Sequence, residues 1–141
     1  MNFIKKIKDL TSSSKSKSLN DFRKELKQRQ QKIDEFDKQR KNDDVGFSLQ
    51  EKAIEAYKAK QFDEAENHFL QAMNKGFYSP GGLIYLAKIY RKRKDYDSEV
   101  KVLEKGLQRL KNDKENNFGK NLVKVEERLT KAKEYSNREH R

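Results

Sequence analysis

Residues 46–79, GFSLQEKAIEAYKAKQFDEAENHFLQAMNKGFYS, and residues 80–113, PGGLIYLAKIYRKRKDYDSEVKVLEKGLQRLKND, decide the fold because the second stretch repeats the first at an offset of 34 residues. Large residues recur as large and small residues as small. The pairs that show this are Leu49–Leu83, Ala53–Ala87, Phe62–Tyr96, Asp63–Asp97, Phe69–Leu103 and Ala72–Gly106. Because side-chain size recurs every 34 residues, we predict two copies of one packing unit.

Each copy is predicted to be a helical hairpin, because apolar residues recur at helical spacing and residues typical of helix ends lie between them. A polar stretch at Asn42, Asp43, Asp44 and Gly46 is predicted to end any preceding helix. In the first unit the further predicted boundaries are a capping box of Ser48 with Glu51, a turn at Phe62–Asp63 and a C-terminal cap at Gly76. In the second unit they are an N-cap at Ser79 before Pro80 and the start of the second helix of the pair at Asp97.

The two units resemble the tetratricopeptide repeat family, a helix-turn-helix unit of 34 residues whose motif places a large residue, a small residue and an aromatic residue at fixed offsets. The residues that carry the resemblance are Leu83, Leu86, Ala87 and Tyr90 in the second unit and Ala65, Phe69 and Ala72 in the first. The departures from the family pattern are Lys52, Ala56 and Glu99. A carboxylate at the helix-crossing position of Glu99 must reach water or a cation. The resemblance implies an all-α fold, a short α-solenoid of two such repeats with flanking helices.

The remaining segments divide the chain further. Residues 1–18 form a short amphipathic segment and a Ser/Lys linker, residues 19–45 a charged amphipathic helix, and residues 114–141 a C-terminal capping helix and tail. Two repeats are fewer than a stable stack normally needs, so flanking helices are expected to cover its ends. For the helix over 19–40, two interpretations stay open: covering the stack, or forming a homodimer. Residues 1–10 are interpreted as disordered or docked, with weak membrane-surface contact as the alternative.

Composition limits the function. Of the 141 residues 33% are hydrophobic and 40% charged, which favours narrow apolar stripes over one large core. No cysteine is present, so thiol chemistry, disulfides and thiolate metal sites are excluded. The chain shows no apolar stretch of signal-peptide or membrane-spanning length, and we expect a cytoplasmic protein.

No catalytic constellation is apparent. The two histidines, His68 and His140, lack the spacing of metal ligands or of a base beside a nucleophile. Pro80-Gly81-Gly82 lacks the later Gly-Lys-Ser/Thr of a phosphate-binding loop. We therefore expect no enzyme activity, no cofactor and no metal.

The resemblance implies a binding groove lined by the first helix of each repeat. Wheel geometry at 100° per residue selects the flank of each helix that would face it. The predicted groove residues are Gln50, Ile54, Tyr57 and Lys58 in the first repeat and Ile84, Lys88, Arg91 and Lys92 in the second. An apolar and aromatic end beside a cationic end suits a helix or peptide that carries acidic residues. The expected function is a protein–protein interaction adaptor.

A second interpretation starts from the basic run Lys88 to Lys94, which predicts a nucleic-acid-associated protein. Against it, lysines outnumber arginines in this chain, and lysine lacks the planar fork that base recognition prefers. The run also lies at a predicted helix C-terminus, where the helix dipole favours cations in any case.

Overall fold

The computed structural model describes residues 18–114 and 116–140, and within these residues it contains five α-helices and no strand. The helices are α1 (Ser18–Lys58), α2 (Phe62–Asn74), α3 (Pro80–Lys92), α4 (Tyr96–Lys111) and α5 (Lys120–Glu139). The all-α prediction is therefore confirmed. The predictions for residues 1–17 lie outside the described residues.

The chain divides into two units, one ending at Lys41 and one spanning Asn42–Arg141, and α1 contributes to both. In the first unit every residue from 19 to 41 is exposed. The second unit contains the hydrophobic core, to which the last part of α1 and helices α2 to α5 all contribute.

The predicted helix break at Asn42 to Gly46 is wrong, and so is the helix start at Ser48. Helix α1 runs without interruption from Ser18 to Lys58. Gly46 is buried inside it, and a Cβ built at this position would overlap the Cβ of Phe77. The glycine is therefore needed for close packing of α1 against the chain after α2, and does not end the helix.

The turns after α1 and after α3 have the same backbone geometry, 34 residues apart. Lys60 and Lys94 both adopt left-handed φ angles, of 62° and 59°. In the first turn the N–H of Gln61 donates to the carbonyl of Ala56, and in the second the N–H of Asp95 donates to that of Tyr90. Both are Schellman-type helix ends with a lysine at the position that usually holds glycine. The internal repeat therefore extends to the backbone.

Two other helix ends follow the predictions, and a third lies close to its predicted position. Gly76, at φ 85°, ends α2, and the N–H of Phe77 donates to the carbonyl of Ala72 at 3.0 Å. Ser79 caps α3 by accepting the N–H of Gly82 at 3.0 Å, and Pro80 is the first helical residue. The turn predicted at Phe62–Asp63 lies slightly earlier in the chain, because Phe62 already opens α2.

Small residues make the helix crossings possible. Ala53 of α1 and Ala87 of α3 are fully buried, as the repeat alignment predicts. Gly106 of α4 receives Leu83, whose two Cδ atoms occupy the space that a Cβ at the glycine would need. Close approach of this kind lets the larger side chains fill neighbouring layers at the density of a protein interior. The larger core residues are Phe69, Leu83, Leu86, Ile89, Tyr90, Val102, Leu103, Leu107, Leu110, Val125 and Leu129.

The C-terminal helix closes the second unit. Helix α5 packs against α4 and α3 and buries Val125, Leu129 and Ala132. They belong to an apolar series at helical spacing that follows the polar residues 112–117 and predicts the C-terminal helix: Phe118, Leu122, Val125, Leu129 and Ala132. Because the pattern has one apolar face, the opposite face of α5 remains charged and exposed.

We predict that Gly46→Ala destabilises the second unit by up to about 2 kcal/mol, because the new methyl group overlaps Phe77 near the backbone, where relaxation is limited. Overpacking of this kind costs about 1–3 kcal/mol, and the roughly 1 kcal/mol by which a helix favours alanine over glycine offsets part of that cost. Chemical denaturation monitored by circular dichroism measures it. The matched control is Gly81→Ala on α3, where nothing lies within 4 Å of the added Cβ, so that its stability stays equal or rises. Equal behaviour of the two variants would contradict the packing role of Gly46.

We also predict that Lys60→Gly and Lys94→Gly each stabilise the protein by about 0.5–1 kcal/mol, because glycine adopts a left-handed φ without the steric cost that lysine pays. The thermal midpoint should rise for each. Lys101→Gly, on the exposed face of α4, should lower it by the usual cost of glycine in a helix.

Candidate partner-binding site

Aromatic side chains collect where α1, α2 and α3 meet. The ring of Tyr57 lies edge-on to Tyr85 at 4.9 Å and to Phe62 at 5.3 Å between centroids. Tyr85 also stacks on the buried Phe69 at 6.1 Å. These four residues are called the aromatic cluster below. Tyr57, Phe62 and Tyr85 stay partly exposed, so the cluster presents ring surface to solvent.

Two lysines of α3 lie over this cluster. The Nζ of Lys88 is 5.7 Å from the ring centroid of Tyr85. The Nζ of Lys92 is 4.9 Å from that of Phe62 and 5.9 Å from that of Tyr57. Both lysines are exposed, and cation–ring contacts at such distances hold an ammonium group beside an apolar surface. The arrangement presents positive charge and ring surface side by side.

The structure therefore brings together three of the predicted groove residues, Tyr57, Lys88 and Lys92. It adds Phe62 and Tyr85 to them, which the groove prediction did not include. Tyr85 could have been found, because its spacing of 3 and 7 residues from Lys88 and Lys92 is that of one helix face. Phe62 could not have been found from the sequence, because only the turn at Lys60 brings it beside α1.

The other residues predicted in the first repeat have separate surroundings. Gln50 joins α1 to α3, because its Oε1 accepts the hydroxyl hydrogen of Ser79 at 2.5 Å and lies against Gly82. Ile54 is half-buried and packs against the core, as Ile84 of α3 does. Lys58 is exposed in the last turn of α1. Gln50 thus joins two helices, and the two isoleucines extend the core.

Arg91 is held by the C-terminal half of the second unit. Its Nε donates to Oε1 of Glu99 at 3.0 Å, and its Nη2 lies 3.0 Å from Oε2 of the same carboxylate. Nε of Arg128, on α5, lies 3.1 Å from that Oε2. The Arg91 guanidinium also covers the ring of Tyr135 at 5.2 Å and donates to the carbonyl of Arg128 at 3.3 Å. Arg91 therefore contacts α4 and α5, and only 26% of its side-chain surface is exposed.

The three residues form the Arg91–Glu99–Arg128 ion triad, whose carboxylate is completely buried. Desolvation by burial and repulsion from Arg91 lower the pKa of the Arg128 guanidinium, and attraction to Glu99 opposes this. The Arg128 guanidinium remains charged, because the ordinary pKa of a guanidinium is far above neutrality. The expectation that Glu99 needs a cation is thus met twice.

The second arginine of the basic run is also engaged. Arg93 pairs with Asp63 and with Glu66, whose Oε1 lies 2.8 Å from Nη1. The hydrogen bond to Glu66 raises the pKa of the Arg93 guanidinium. Tyr90 is buried in the core, where burial and its hydrogen bond with Glu66 raise the pKa of its hydroxyl. Three lysines of the basic run, Lys88, Lys92 and Lys94, are therefore exposed. Its two arginines are already bound by carboxylates.

The histidines occupy unrelated positions. Nε2 of His68 lies 3.6 Å from Glu64, one turn away on α2. Nε2 of His140 lies 3.0 Å from Oδ2 of Asp97, and the hydroxyl of Ser136 donates to Oδ1 of the same carboxylate at 2.5 Å. These hydrogen bonds lower the pKa of Asp97. Because the serine binds the carboxylate directly, the histidine does not lie between them as it does in a catalytic triad.

A second surface was not predicted from the sequence. Two adjoining depressions, of about 510 and 400 Å³, lie between α2 and α4. Met73 and Tyr78 form part of the wall of both, and Lys105 lies at both edges. Lys101 lines the first and Arg109 the second, where the guanidinium is 5.8 Å from the ring of Tyr78. This α2/α4 depression is a second place where apolar and cationic groups adjoin.

Comparisons with protein-family models, with curated proteins and with solved structures find no match to this chain. Along residues 18–114 and 116–140, no helix combines the length and the apolar character needed to cross a membrane. In the same residues, no group of three or more His, Cys, Asp or Glu side chains is placed to hold a metal ion.

We predict that Glu99→Gln destabilises the second unit by about 2–4 kcal/mol, because the amide leaves two partly buried guanidinium groups close together without a counter-charge. Urea denaturation measures the loss. The matched control is Glu104→Gln on the same helix, which removes an exposed ion pair with Lys133 and should cost less than about 1 kcal/mol. A loss for Glu99→Gln no larger than that of the control would show that the triad does not hold α5 in place.

Proposed function

We propose that this protein is a non-enzymatic, cytoplasmic adaptor that binds an acidic helix or peptide at the aromatic cluster and its two lysines. The observation that carries the proposal is the position of the Lys88 and Lys92 ammonium groups over the partly exposed rings of Tyr57, Phe62 and Tyr85. Rings of this kind give contact area at low cost in conformational entropy, and the ammonium groups select carboxylates.

The repeat organisation supports the same proposal. The two hairpins share a 34-residue offset, the same left-handed turn and alanines at equivalent buried positions, all of which are expected of a two-repeat solenoid similar to the tetratricopeptide family. Stacked hairpins place their first helices side by side, which is the arrangement that brings Tyr57 of α1 to Tyr85 of α3. A peptide bound there would contact both repeats.

The charges also favour a peptide over a nucleic acid. Arg91 and Arg93 are occupied by Glu99, Asp63 and Glu66, so they are not available for bidentate contacts to bases or phosphates. The exposed lysines that remain are point charges, which bind phosphates only through sequence-independent and salt-sensitive attraction. Aromatic surface beside the lysines instead suits a partner with one apolar and one acidic face.

Fluorescence anisotropy tests the proposal with two kinds of probe, measured against salt concentration. One is a panel of labelled peptides that carry Glu on one helical face and Leu or Phe on the other, and the other is a single-stranded RNA oligonucleotide. We expect peptide binding that persists at physiological salt, and RNA binding that collapses as salt rises. Tight RNA binding at physiological salt, without peptide binding, would favour the nucleic-acid interpretation.

We predict that the double variant Lys88→Glu with Lys92→Glu weakens peptide binding by about tenfold or more, since it turns two attractive charges into repulsive ones. Its thermal midpoint should stay close to that of the wild type, because both side chains are exposed. Isothermal titration calorimetry and thermal melts measure the two effects.

The matched control is Lys101→Glu with Lys105→Glu, which changes two lysines at the same spacing on the rim of the α2/α4 depression. The net-charge change is identical, so an effect of overall charge would appear equally in both variants. Loss of peptide binding only in the control would move the site to the α2/α4 depression and overturn the proposal.

A further inference from the structure

The N-terminal part of α1 carries an apolar stripe that the described structure leaves exposed. Its residues are Leu19, Phe22, Leu26, Ile33 and Phe36, whose exposed fractions run from 47% to 67%. At 100° per residue they fall within an arc of about 100° on one side of the helix. These five residues are called the α1 stripe. Their spacing of 3, 4, 7 and 3 residues follows the a and d positions of a heptad repeat.

One charged residue interrupts the stripe, and charged residues border it. Arg29 occupies the d position between Leu26 and Ile33. Along one border, Glu25 and Lys32 take the g positions seven residues apart. In a coiled coil, residues at these bordering positions decide which helix pairs with which and in what direction. The residues at and beside the stripe therefore restrict which helix can pair with it and in which direction.

We propose that the α1 stripe pairs with the same stripe of a second copy of this chain, as an antiparallel coiled coil. In this register Leu19 lies opposite Phe36 of the second copy, Phe22 opposite Ile33, and Leu26 opposite Arg29. Residues 19–36 then pair with themselves from end to end, so that one segment supplies both halves of the interface. An interface of this kind has the two-fold symmetry typical of homodimers.

The antiparallel direction follows from Arg29 and from the two phenylalanines. A parallel pair in register would place Arg29 against Arg29 of the second copy, which brings two like charges together in a partly dehydrated layer. It would also stack each phenylalanine on its own copy at a d layer, where parallel dimers favour leucine. The antiparallel register gives Phe22 and Phe36 aliphatic partners. It leaves each Arg29 beside a leucine, past which its long side chain can reach solvent.

Charge complementarity supports a second copy as the partner. In the antiparallel register the border that contains Glu25 faces the same border of the second copy, which places Glu25 opposite Lys32 on both ends of the dimer. A parallel pair would also form two attractive contacts, one between Lys32 and Asp37 on each side, and would leave Glu25 opposite Gln30. The bordering charges therefore suit self-pairing in either direction, and the antiparallel direction rests on Arg29 and the two phenylalanines.

The dimer goes beyond the proposed peptide site and does not depend on it, because the α1 stripe and the aromatic cluster belong to different units of the chain. Two other occupants of the stripe would leave the protein monomeric: the apolar residues Phe3, Ile4, Ile7 and Leu10 of its own N-terminal segment, or its own repeats. A short stripe predicts a dimer of moderate affinity whose population rises with protein concentration.

Sedimentation equilibrium of the full chain over a wide concentration range tests the proposal. The wild type should approach twice the monomer mass as its concentration rises. Leu26→Glu with Ile33→Glu should remain a monomer, because it buries four glutamates in the dimer core. The matched control, Gln28→Glu with Gln31→Glu, makes the same charge change on the opposite face of the helix and should dimerise like the wild type. A wild type that stays monomeric, or a stripe variant that still dimerises, would overturn the proposal.

A charge reversal tests the orientation. Glu25→Lys should weaken the dimer several-fold, because the introduced ammonium group would face Lys32 of the second copy on both sides. Adding Lys32→Glu should restore the affinity of the wild type in the antiparallel dimer. In a parallel dimer the added glutamate would instead face Asp37, and the affinity would fall further. Failure of the second substitution to rescue the first would therefore overturn the antiparallel arrangement, and full rescue would support it.

Discussion

The second unit depends on one buried carboxylate. Glu99 has no contact with solvent, and the cations that neutralise it come from α3 on one side and α5 on the other. A buried charge is tolerated only where paired groups compensate for its lost hydration, so Arg91 and Arg128 must both lie beside it. This requirement holds three helices in one arrangement. It also explains a charged residue at a crossing where the repeat pattern has a small residue, since the carboxylate serves as the ionic contact between the second hairpin and the C-terminal helix.

The same triad shapes the candidate site by removing a cation from it. Arg91 lies on the helix face that helical-wheel geometry assigns to the groove, yet its guanidinium contacts Glu99 and Tyr135. Arg93 is drawn to Asp63 and Glu66 in a similar way. What remains at the surface is a pair of lysines over aromatic rings. Packing therefore divides the five basic residues of the Lys88–Lys94 run into two arginines held by carboxylates and three exposed lysines, of which Lys88 and Lys92 lie over the rings.

The helix that enters the first hairpin joins two kinds of surface. Its C-terminal part buries Ala53 and Ala56 in the core, and its N-terminal part carries the exposed α1 stripe. The residues that are typical of a helix end, Asn42 to Gly46, lie within this helix. Gly46 is needed there because a side chain would overlap Phe77, and not because the backbone adopts a conformation that only glycine allows. One continuous helix can thereby combine the proposed peptide site with the proposed dimer interface in the same chain.

The sequence by itself determined the helical class, the 34-residue period, the buried alanines at Ala53 and Ala87, and most of the helix caps, because these depend on local spacing and on recurring side-chain size. It also identified Glu99 as a residue that needs a cation. Only the tertiary structure decided that α1 continues past Gly46, that Arg91 turns inward, and that Phe62 joins Tyr57 and Tyr85. Each of these outcomes depends on groups far apart in the chain, Phe77 for the glycine, Arg128 for the triad and α3 for the aromatic cluster, and the energy of such contacts outweighs local preference.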